Sequence, residues 1–238
     1  MLLFYLRHGD PIYDPDSLTP LGHRQAEALG RRLARYGLDR IYASSSTRAQ
    51  LTAKPTCEML KLEMQILDWT NESYAWQQLA MDTGDGRRKW AFQNEKYIQS
   101  FLSADVRAMG EKWPEHPDFA GTTLGEGIAR VKRETYTFLA ELGYVYDEQA
   151  GAYRTEGGND ERVALFAHQG FGLAFLSSVM GIPYPTFCTH FDMTHSGMTV
   201  IEFSSKPGLT APRILQLSND SHIYADGLPT NYNNELRF

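Results

Sequence analysis

The chain opens with an unbroken apolar run that ends abruptly in polar residues. Residues 2–6 are all apolar and two of them are aromatic, which predicts a short strand that is buried on both faces. Arg7, His8 and Gly9 follow at the carboxyl end of this strand, where open α/β sheets place their ligands. The glycine permits a sharp turn and a close approach to its backbone. The pattern thus indicates either a functional site or a strand whose end is merely polar.

A helix and a second strand come next, in an order typical of a parallel sheet. Residues 10–18 contain two prolines and three aspartates and are predicted to be a loop. Thr19 and Pro20 suit a helix N-cap and first turn, and the apolar spacing extends this helix to about Tyr36. Residues 40–43 then form a short strand. Strand, helix and strand together predict a parallel βαβ unit.

The same alternation returns in the second half of the chain. Residues 163–167 predict a buried strand that ends at His168 and feeds an apolar helix. Pro55 should kink the helix that follows Arg48 or separate it into two segments. Further predicted elements are a helix at 124–142, the apolar helix at 171–180, a hairpin at 143–155, and strands at 198–203 and 213–217.

One segment interrupts this pattern. Residues 73–122 are rich in Trp, Gln, Asp, Lys and Gly and show weak periodicity. Their aromatic side chains need burial, which favours an inserted lid over a linker. We therefore predict a three-layer α/β/α sandwich, with a mainly parallel sheet and helices on both faces. The expected organisation is a single domain over residues 1–238 that carries the lid at about 73–122.

Composition narrows the classes of partner. The net charge of −6 argues against a general nucleic-acid or anionic-membrane surface, so an anion site must be a local cluster of cations. Cys57 and Cys188 have no paired or metal-type spacing. The first residues lack a basic leader, and no apolar stretch is long enough for a membrane span. We expect a soluble, cytoplasmic protein with a small-molecule ligand and no bound metal.

Polar side chains end three of the predicted strands. Arg7 and His8, the segment leading to Arg48, and His168 all lie where a parallel sheet brings strand ends to one edge. A lone histidine in such a place is more often a hydrogen-bonded core residue. A cluster of cations, however, repels itself and costs desolvation. An anion would offset that cost, and phosphate fits best because arginine forks and a helix N-terminus both favour phosphoryl oxygens.

At these residues the chain resembles the histidine phosphatase superfamily, also called phosphoglycerate-mutase-like. The likeness is dense over residues 1–60, fair over 163–203, thin near 213–224 and essentially absent over 73–160. The matching segments are Leu6–Gly9, Leu18–Gly22 with Gln25 and Ala26, Tyr42–Ala53, Phe166–Gly170 and Asn219–His222.

The resemblance implies roles for four of these residues. His8 would be the nucleophile that becomes a phosphohistidine, and Arg7, Arg48 and His168 would bind the phosphoryl oxygens. A free imidazole has a pKa of roughly 6.5, so much of it is neutral near pH 7. The carbonyl group of Gly9 is a plausible acceptor that would select the reactive tautomer. No cofactor is implied.

The reaction also needs an acid that protonates the leaving oxygen. In the family this is a carboxylate on the segment that leads into the variable insertion, and Glu72 is the residue we select. Asp68, Asp82 and Asp85 are rivals, and the alternative is that Glu72 is an exposed loop acid. His195 and His222, by contrast, are expected to be structural.

Departures from the family pattern bear on the substrate. Asp14 stands where many members have an asparagine, so a phosphate contact there is in doubt. A carboxylate near Thr122 is absent or replaced by Glu126. Extra cations for a second phosphate could come only from residues 87–89 in the lid, which suit a solvated charge run better.

These observations favour one function over two others. We expect a metal-independent phosphomonoesterase that acts through a phosphohistidine on a small phosphorylated metabolite. The alternatives are a phosphoglycerate-type mutase and a non-catalytic sensor of a phosphorylated ligand. The natural substrate and the oligomeric state, including a homo-oligomer, stay open.

Overall fold

A computed structural model describes residues 1–230, and residues 231–238 of the predicted domain lie outside the described part. The strands are β1 (Leu2–Arg7), β2 (Pro11–Tyr13), β3 (Asp16–Leu18), β4 (Arg40–Ser44), β5 (Met64–Leu67), β6 (Ala80–Asp82), β7 (Arg88–Trp90), β8 (Val145–Asp147), β9 (Ala152–Thr155), β10 (Arg162–Ala167), β11 (Met198–Glu202), β12 (Gly208–Thr210) and β13 (Arg213–Asn219). The helices are α1 (Pro20–Tyr36), α2 (Thr47–Leu60), α3 (Glu72–Leu79), α4 (Glu95–Leu102), α5 (Ala104–Ala108), α6 (Leu124–Glu141), α7 (Gln169–Met180), α8 (Tyr184–His190) and α9 (Ser221–Ala225).

The central sheet confirms the predicted α/β class. Its six strands run in the order β13-β11-β1-β10-β4-β5. Strands β1, β10, β4 and β5 are parallel, and β11 pairs antiparallel with β1 and with β13. The carboxyl ends of β1, β10 and β4 are therefore neighbours at one edge, as the strand-end argument requires. Strand β5 was not predicted.

The opening apolar run is buried on both faces because β1 lies inside the sheet. Leu3 and Tyr5 pack on one face with the aromatic side chains of α6 and α7, while Phe4 and Leu6 pack on the other with the leucines of α1. Alternate side chains of a strand point to opposite faces. Helices cover both faces of the sheet, which gives the three layers predicted from the sequence.

The segment between β1 and α1 corrects one prediction. Residues 10–18 form a short antiparallel hairpin, β2–β3, rather than the loop that was expected. Helix α1 begins where the sequence predicted it. Thr19 is its N-cap, and the Thr19 hydroxyl accepts a hydrogen bond from the Gly22 amide at 3.0 Å. Helix α2 continues through Pro55 as a single element, and Gly30 of α1 lies so close that a Cβ there would be 3.2 Å from Pro55.

The lid segment, residues 73–122, has helices and a small hairpin of its own. The pairing of β6 with β7 forms the hairpin, which α3 precedes and α4 and α5 follow along the chain. Phe101, Trp113 and Phe119 pack against one another and are buried in the same hydrophobic cluster as α6 and α7. The predicted 143–155 hairpin is confirmed as β8–β9, which β12 extends to three strands. Within residues 1–230, no helix is both long and apolar enough to span a membrane.

Candidate active site

The edge formed by β1, β10 and β4 brings the four predicted anion-binding residues together. The His8 amide donates to the Ala167 carbonyl at 2.9 Å, which ties the ends of β1 and β10. The rings of His8 and His168 lie 5.3 Å apart between centroids. Arg7 and Arg48 are buried beside them, at 4% and 9% exposure. Clustered, buried cations of this kind are stable only with compensating negative charge.

His8 is held in one tautomer. Its Nδ1 lies 2.7 Å from the Gly9 carbonyl oxygen, which is an acceptor, so Nδ1 carries the proton and Nε2 keeps its lone pair. Burial lowers the pKa of His8 well below its ordinary value, and charge interactions with His168 and Arg7 lower it further. The imidazole is therefore neutral and nucleophilic at Nε2 near pH 7.

Two glycines let the backbone at His8 pack against helix α1. A Cβ at Gly9 would lie 2.7 Å from the Gly22 carbonyl oxygen, and a Cβ at Gly22 would lie 2.2 Å from the Asp10 carbonyl oxygen. The Gly9 amide donates to the Thr52 hydroxyl at 3.0 Å. These contacts explain why glycine follows the histidine and recurs in the first turn of α1, and they fix the carbonyl group that orients His8.

Arg48 projects from the first turn of α2 and is bound by two carboxylates. Its Nη1 donates to Asp16 Oδ1 at 2.7 Å, and its Nη2 donates to Glu72 Oε2 at 2.9 Å. Burial lowers the pKa of the Arg48 guanidinium, but the hydrogen bonds and charges of Asp16 and Glu72 outweigh this and raise it. Arg48 is thus a permanent cation that the β2–β3 hairpin, through Asp16, helps to orient.

Glu72 is the predicted acid that the structure places in the cluster. It begins helix α3, whose N-cap is the Asn71 side chain. Its Oε1 accepts from the Gly170 amide at 3.1 Å, and its Oε2 lies 3.5 Å from His168 Nδ1. The rivals lie outside, since Asp68, Asp82 and Asp85 are all exposed. Glu72 itself is largely buried, with 13% of its side chain exposed, so it is not an exposed loop acid.

His168 is fixed from both sides at the start of α7. Its Nε2 lies 2.9 Å from the Ser44 hydroxyl and 3.2 Å from the Ser46 hydroxyl. The Tyr5 hydroxyl donates to the His168 carbonyl oxygen at 2.6 Å. Burial lowers the pKa of His168 well below its ordinary value, and the charges of Arg48 and Arg7 add to this effect. With the serines on Nε2, the opposite nitrogen, Nδ1, faces Glu72.

Three buried nitrogen atoms of this cluster have no hydrogen-bond partner among the described residues. They are Arg7 Nε, Arg48 Nε and His168 Nδ1. Leaving a buried polar group unpaired costs about 1–3 kcal/mol. Arg7 and Arg48 act on His8 through their charge, and the His168 ring lies 5.3 Å from that of His8, so an oxyanion with several acceptor oxygens suits the space beside this imidazole.

His195 belongs to this cluster although the sequence indicated a structural role. Its Nε2 lies 2.7 Å from Arg7 Nη2, and its ring is 5.7 Å from that of His8 between centroids. Burial first, and then the charge of Arg7, lower the pKa of His195 to about 3. A neutral His195 accepts a hydrogen bond from Arg7 Nη2 and orients the guanidinium. Its position just before β11 was the one available signal.

His222 is linked to His8 through Ser196. Its Nε2 lies 2.8 Å from the Ser196 hydroxyl, and the Ser196 amide donates to the His8 carbonyl oxygen at 3.0 Å. The tail motif that contains His222 therefore supports the backbone at His8.

Other residues singled out in the sequence lie away from the cluster. Asp14 and Glu126 are exposed, as are the lid cations at 87–89. Arg87 pairs with Asp85, and Arg88 donates to the Gln77 carbonyl oxygen at 3.1 Å. This arrangement agrees with a solvated charge run.

Three residues of the cluster have side chains of the kind that bind metal ions. The candidate ligand atoms of His8, Glu72 and His168 lie within 4.8 Å of one another. The guanidinium groups of Arg7 and Arg48 beside them favour an anion over a cation, because like charges in a poorly solvated site repel strongly.

The chain is similar to known proteins of one family. A sequence profile of the histidine phosphatase superfamily (branch 1) matches residues 4–210. The adenosylcobalamin/alpha-ribazole phosphatase of Escherichia coli (strain K12) is 24% identical over 215 residues, which cover 87% of this chain and 92% of that protein.

Solved structures share the fold. A protein described as mycobacterial hydrolase 1 has a TM-score of 0.61 at 20% identity, covering 92% of this chain and 98% of that chain. The phosphoserine phosphatase of Entamoeba histolytica, in complex with 3-phosphoglyceric acid, has a TM-score of 0.60 at 18% identity, covering 93% and 98%.

Proposed function

The chain belongs to the histidine phosphatase superfamily, and from that membership we propose that it hydrolyses phosphomonoesters through a phosphohistidine at His8. The observation that carries the proposal is a neutral imidazole at His8 beside Arg7, Arg48 and His168, each of which has a buried nitrogen without a partner among the described residues. Relatives with phosphatase names support the same class of reaction.

The first step is attack by His8 Nε2 on the phosphorus atom. The proton stays on Nδ1, hydrogen-bonded to the Gly9 carbonyl oxygen, so the lone pair of Nε2 forms the bond to phosphorus. Charge then spreads over the equatorial oxygens, and positioned cations supply most of the stabilisation in phosphoryl transfer. The guanidinium groups of Arg7 and Arg48 stabilise that negative charge, and His168 Nδ1 donates a further hydrogen bond to a phosphoryl oxygen. The positive charge comes from the protein, so no metal ion is required.

Glu72 is the residue we assign to proton transfer. It lies between Arg48 and the Gly170 amide, with its carboxyl group within 4.8 Å of the histidine nitrogens. Glu72 takes up a proton together with the substrate and gives this proton to the leaving oxygen as the ester bond breaks. The resulting carboxylate then takes a proton from water, which attacks the phosphohistidine and releases inorganic phosphate.

The position of the lid cations supports hydrolysis rather than a mutase reaction. A bisphosphate-dependent mutase must hold a second phosphate, and the pairing of Arg87 with Asp85 leaves that role unsupported. The buried acid at Glu72 likewise favours turnover over a sensor that only binds.

A leaving-group comparison tests the proposal. Wild-type protein should release phosphate from 4-nitrophenyl phosphate and from benzyl phosphate, and His8→Ala should release it from neither. Glu72→Gln keeps the size of the side chain and an oxygen for the Gly170 amide. It should slow the benzyl ester by about 100-fold or more, the usual contribution of a positioned acid, and slow the activated ester much less.

Asp68→Asn is the matched control, because Asp68 is a nearby but exposed carboxylate. It should leave the ratio of the two rates as in wild type. Equal slowing of both esters by Glu72→Gln would remove Glu72 from the acid role. Unchanged hydrolysis in His8→Ala would refute the proposed function.

A further inference from the structure

A cavity adjoins the cluster of His8, Arg48, Glu72 and His168 on the side where the leaving group must lie. It measures about 700 Å³ and has Ser46, Arg48 and Glu72 in its wall, a size typical of small-ligand pockets. Glu72 is the group we assign to protonating the leaving oxygen. The alcohol part of the ester must therefore extend from Glu72 into this cavity, and its walls select the substrate.

Charge in this cavity disfavours an acidic leaving group. Among the described residues that line it, Arg48 is the one basic side chain, and both its terminal nitrogens are bound by Asp16 and Glu72. A second phosphate or a carboxylate on the substrate would face the Asp16 carboxylate, which already holds Arg48, and would find no further cation among the described lining residues. Burying an unpaired charge is costly.

Two tryptophans also line the cavity. Trp76 of α3 and Trp90 of β7 meet edge to face at 4.9 Å between centroids, and Trp90 stacks on Phe92. Both tryptophans remain partly exposed, so each keeps ring area that a ligand could cover. Tyr13, from the β2–β3 hairpin, also lines the cavity, and its ring centroid lies 5.3 Å from the Arg48 guanidinium carbon.

Trp90 packs closely against the first turn of α7. A Cβ at Gly170 would lie 2.6 Å from the Trp90 ring, so the glycine is what allows the indole to reach the first turn of α7. The same Gly170 donates its amide to Glu72. The aromatic wall and the acid are thus positioned by one turn of backbone.

We propose that the substrate is a phosphomonoester whose alcohol carries a planar, uncharged ring that packs against Trp76 and Trp90. Gln93 also lines the cavity. Its side-chain amide has no hydrogen-bond partner among the described residues and is available to a ring heteroatom. This inference rests on the proposed function, because the cavity selects the leaving group of that reaction.

Two matched pairs of esters test the inference. Benzyl phosphate and cyclohexylmethyl phosphate are both esters of primary alcohols and differ mainly in ring planarity. The benzyl ester should have the higher kcat/KM by about threefold to tenfold, the range of an aromatic contact. 4-Carbamoylbenzyl and 4-carboxybenzyl phosphate are similar in shape and differ in charge. The carboxylate should be the poorer substrate by about tenfold or more.

Trp76→Leu removes the planar face and keeps apolar volume, so it should bring the benzyl to cyclohexylmethyl ratio close to one, mainly through KM. Tyr224→Leu is the control, since Tyr224 is 86% exposed and does not line the cavity. It should keep the wild-type ratio. Hydrolysis of all four esters at similar kcat/KM, abolished in His8→Ala, would overturn this inference and leave the phosphatase function intact. No hydrolysis of any ester would overturn both.

Discussion

Replacing His222 with glutamine should make the fold less sensitive to acid. His222 is 5% exposed. Burial, followed by the charge of Arg32, lowers its pKa from 6.5 to about 4, against smaller raising effects from Asp226 and Ser196. The folded protein therefore holds this histidine neutral at a pH where the unfolded chain has already protonated it.

The sign and size follow from proton linkage. A group with a lowered pKa in the folded state favours unfolding as the pH falls below its unfolded pKa, because the unfolded chain binds more protons. Between pH 7.5 and pH 5.0, a shift from 6.5 to about 4 costs the wild-type fold about 2 kcal/mol. Glutamine cannot titrate. The loss of unfolding free energy over this interval should therefore be about 2 kcal/mol smaller in His222→Gln.

Urea unfolding at the two pH values measures this difference directly. His23→Gln is the matched control, since His23 lies exposed on α1 and should show the wild-type loss. Comparing the change with pH, rather than the absolute stability, removes the fixed cost of altering the contact with Ser196. An equal loss of stability in wild type and His222→Gln would refute the linkage argument.

Two further predictions concern the backbone around the nucleophile. Gly9→Ala forces a methyl group to within 2.7 Å of the Gly22 carbonyl oxygen, so it should lower the unfolding free energy by about 1–3 kcal/mol and lower kcat by displacing the carbonyl group that orients His8. Urea unfolding together with phosphate release checks both. Tyr5→Phe removes the hydroxyl that donates a hydrogen bond to the His168 carbonyl oxygen at 2.6 Å. It should lower the free energy of unfolding, measured in urea, by about 1–3 kcal/mol. A decrease of less than about 0.5 kcal/mol would contradict this role for the hydroxyl.

The sequence predicted the frame of the sheet because its signals are local. The apolar run of β1 and the capping pattern at Thr19 each depend on a few neighbouring residues. The placement of Arg7, His8 and His168 at one edge then follows from parallel pairing alone. The fold class and the main strands were therefore within reach before any coordinates.

The remainder depends on contacts between segments that are distant in the chain. Strand β5 is half-exposed at the sheet edge, so its pattern is weak, and the β2–β3 hairpin consists largely of turn-forming residues. His195 lies in the site because the segment just before β11 contacts Arg7. The cavity beside Glu72 arises from Trp76 and Trp90 of the lid segment, whose sequence shows only weak periodicity.

The most direct test of the account is to trap the phosphorylated enzyme. Rapid mixing with excess benzyl phosphate, quenching in alkali and peptide mass spectrometry should place one phosphoryl group on His8, because phosphohistidine survives alkali and is lost in acid. His8→Ala, treated identically, should carry none. A phosphoryl group on another residue, or none on wild type during steady turnover, would contradict a covalent mechanism at His8.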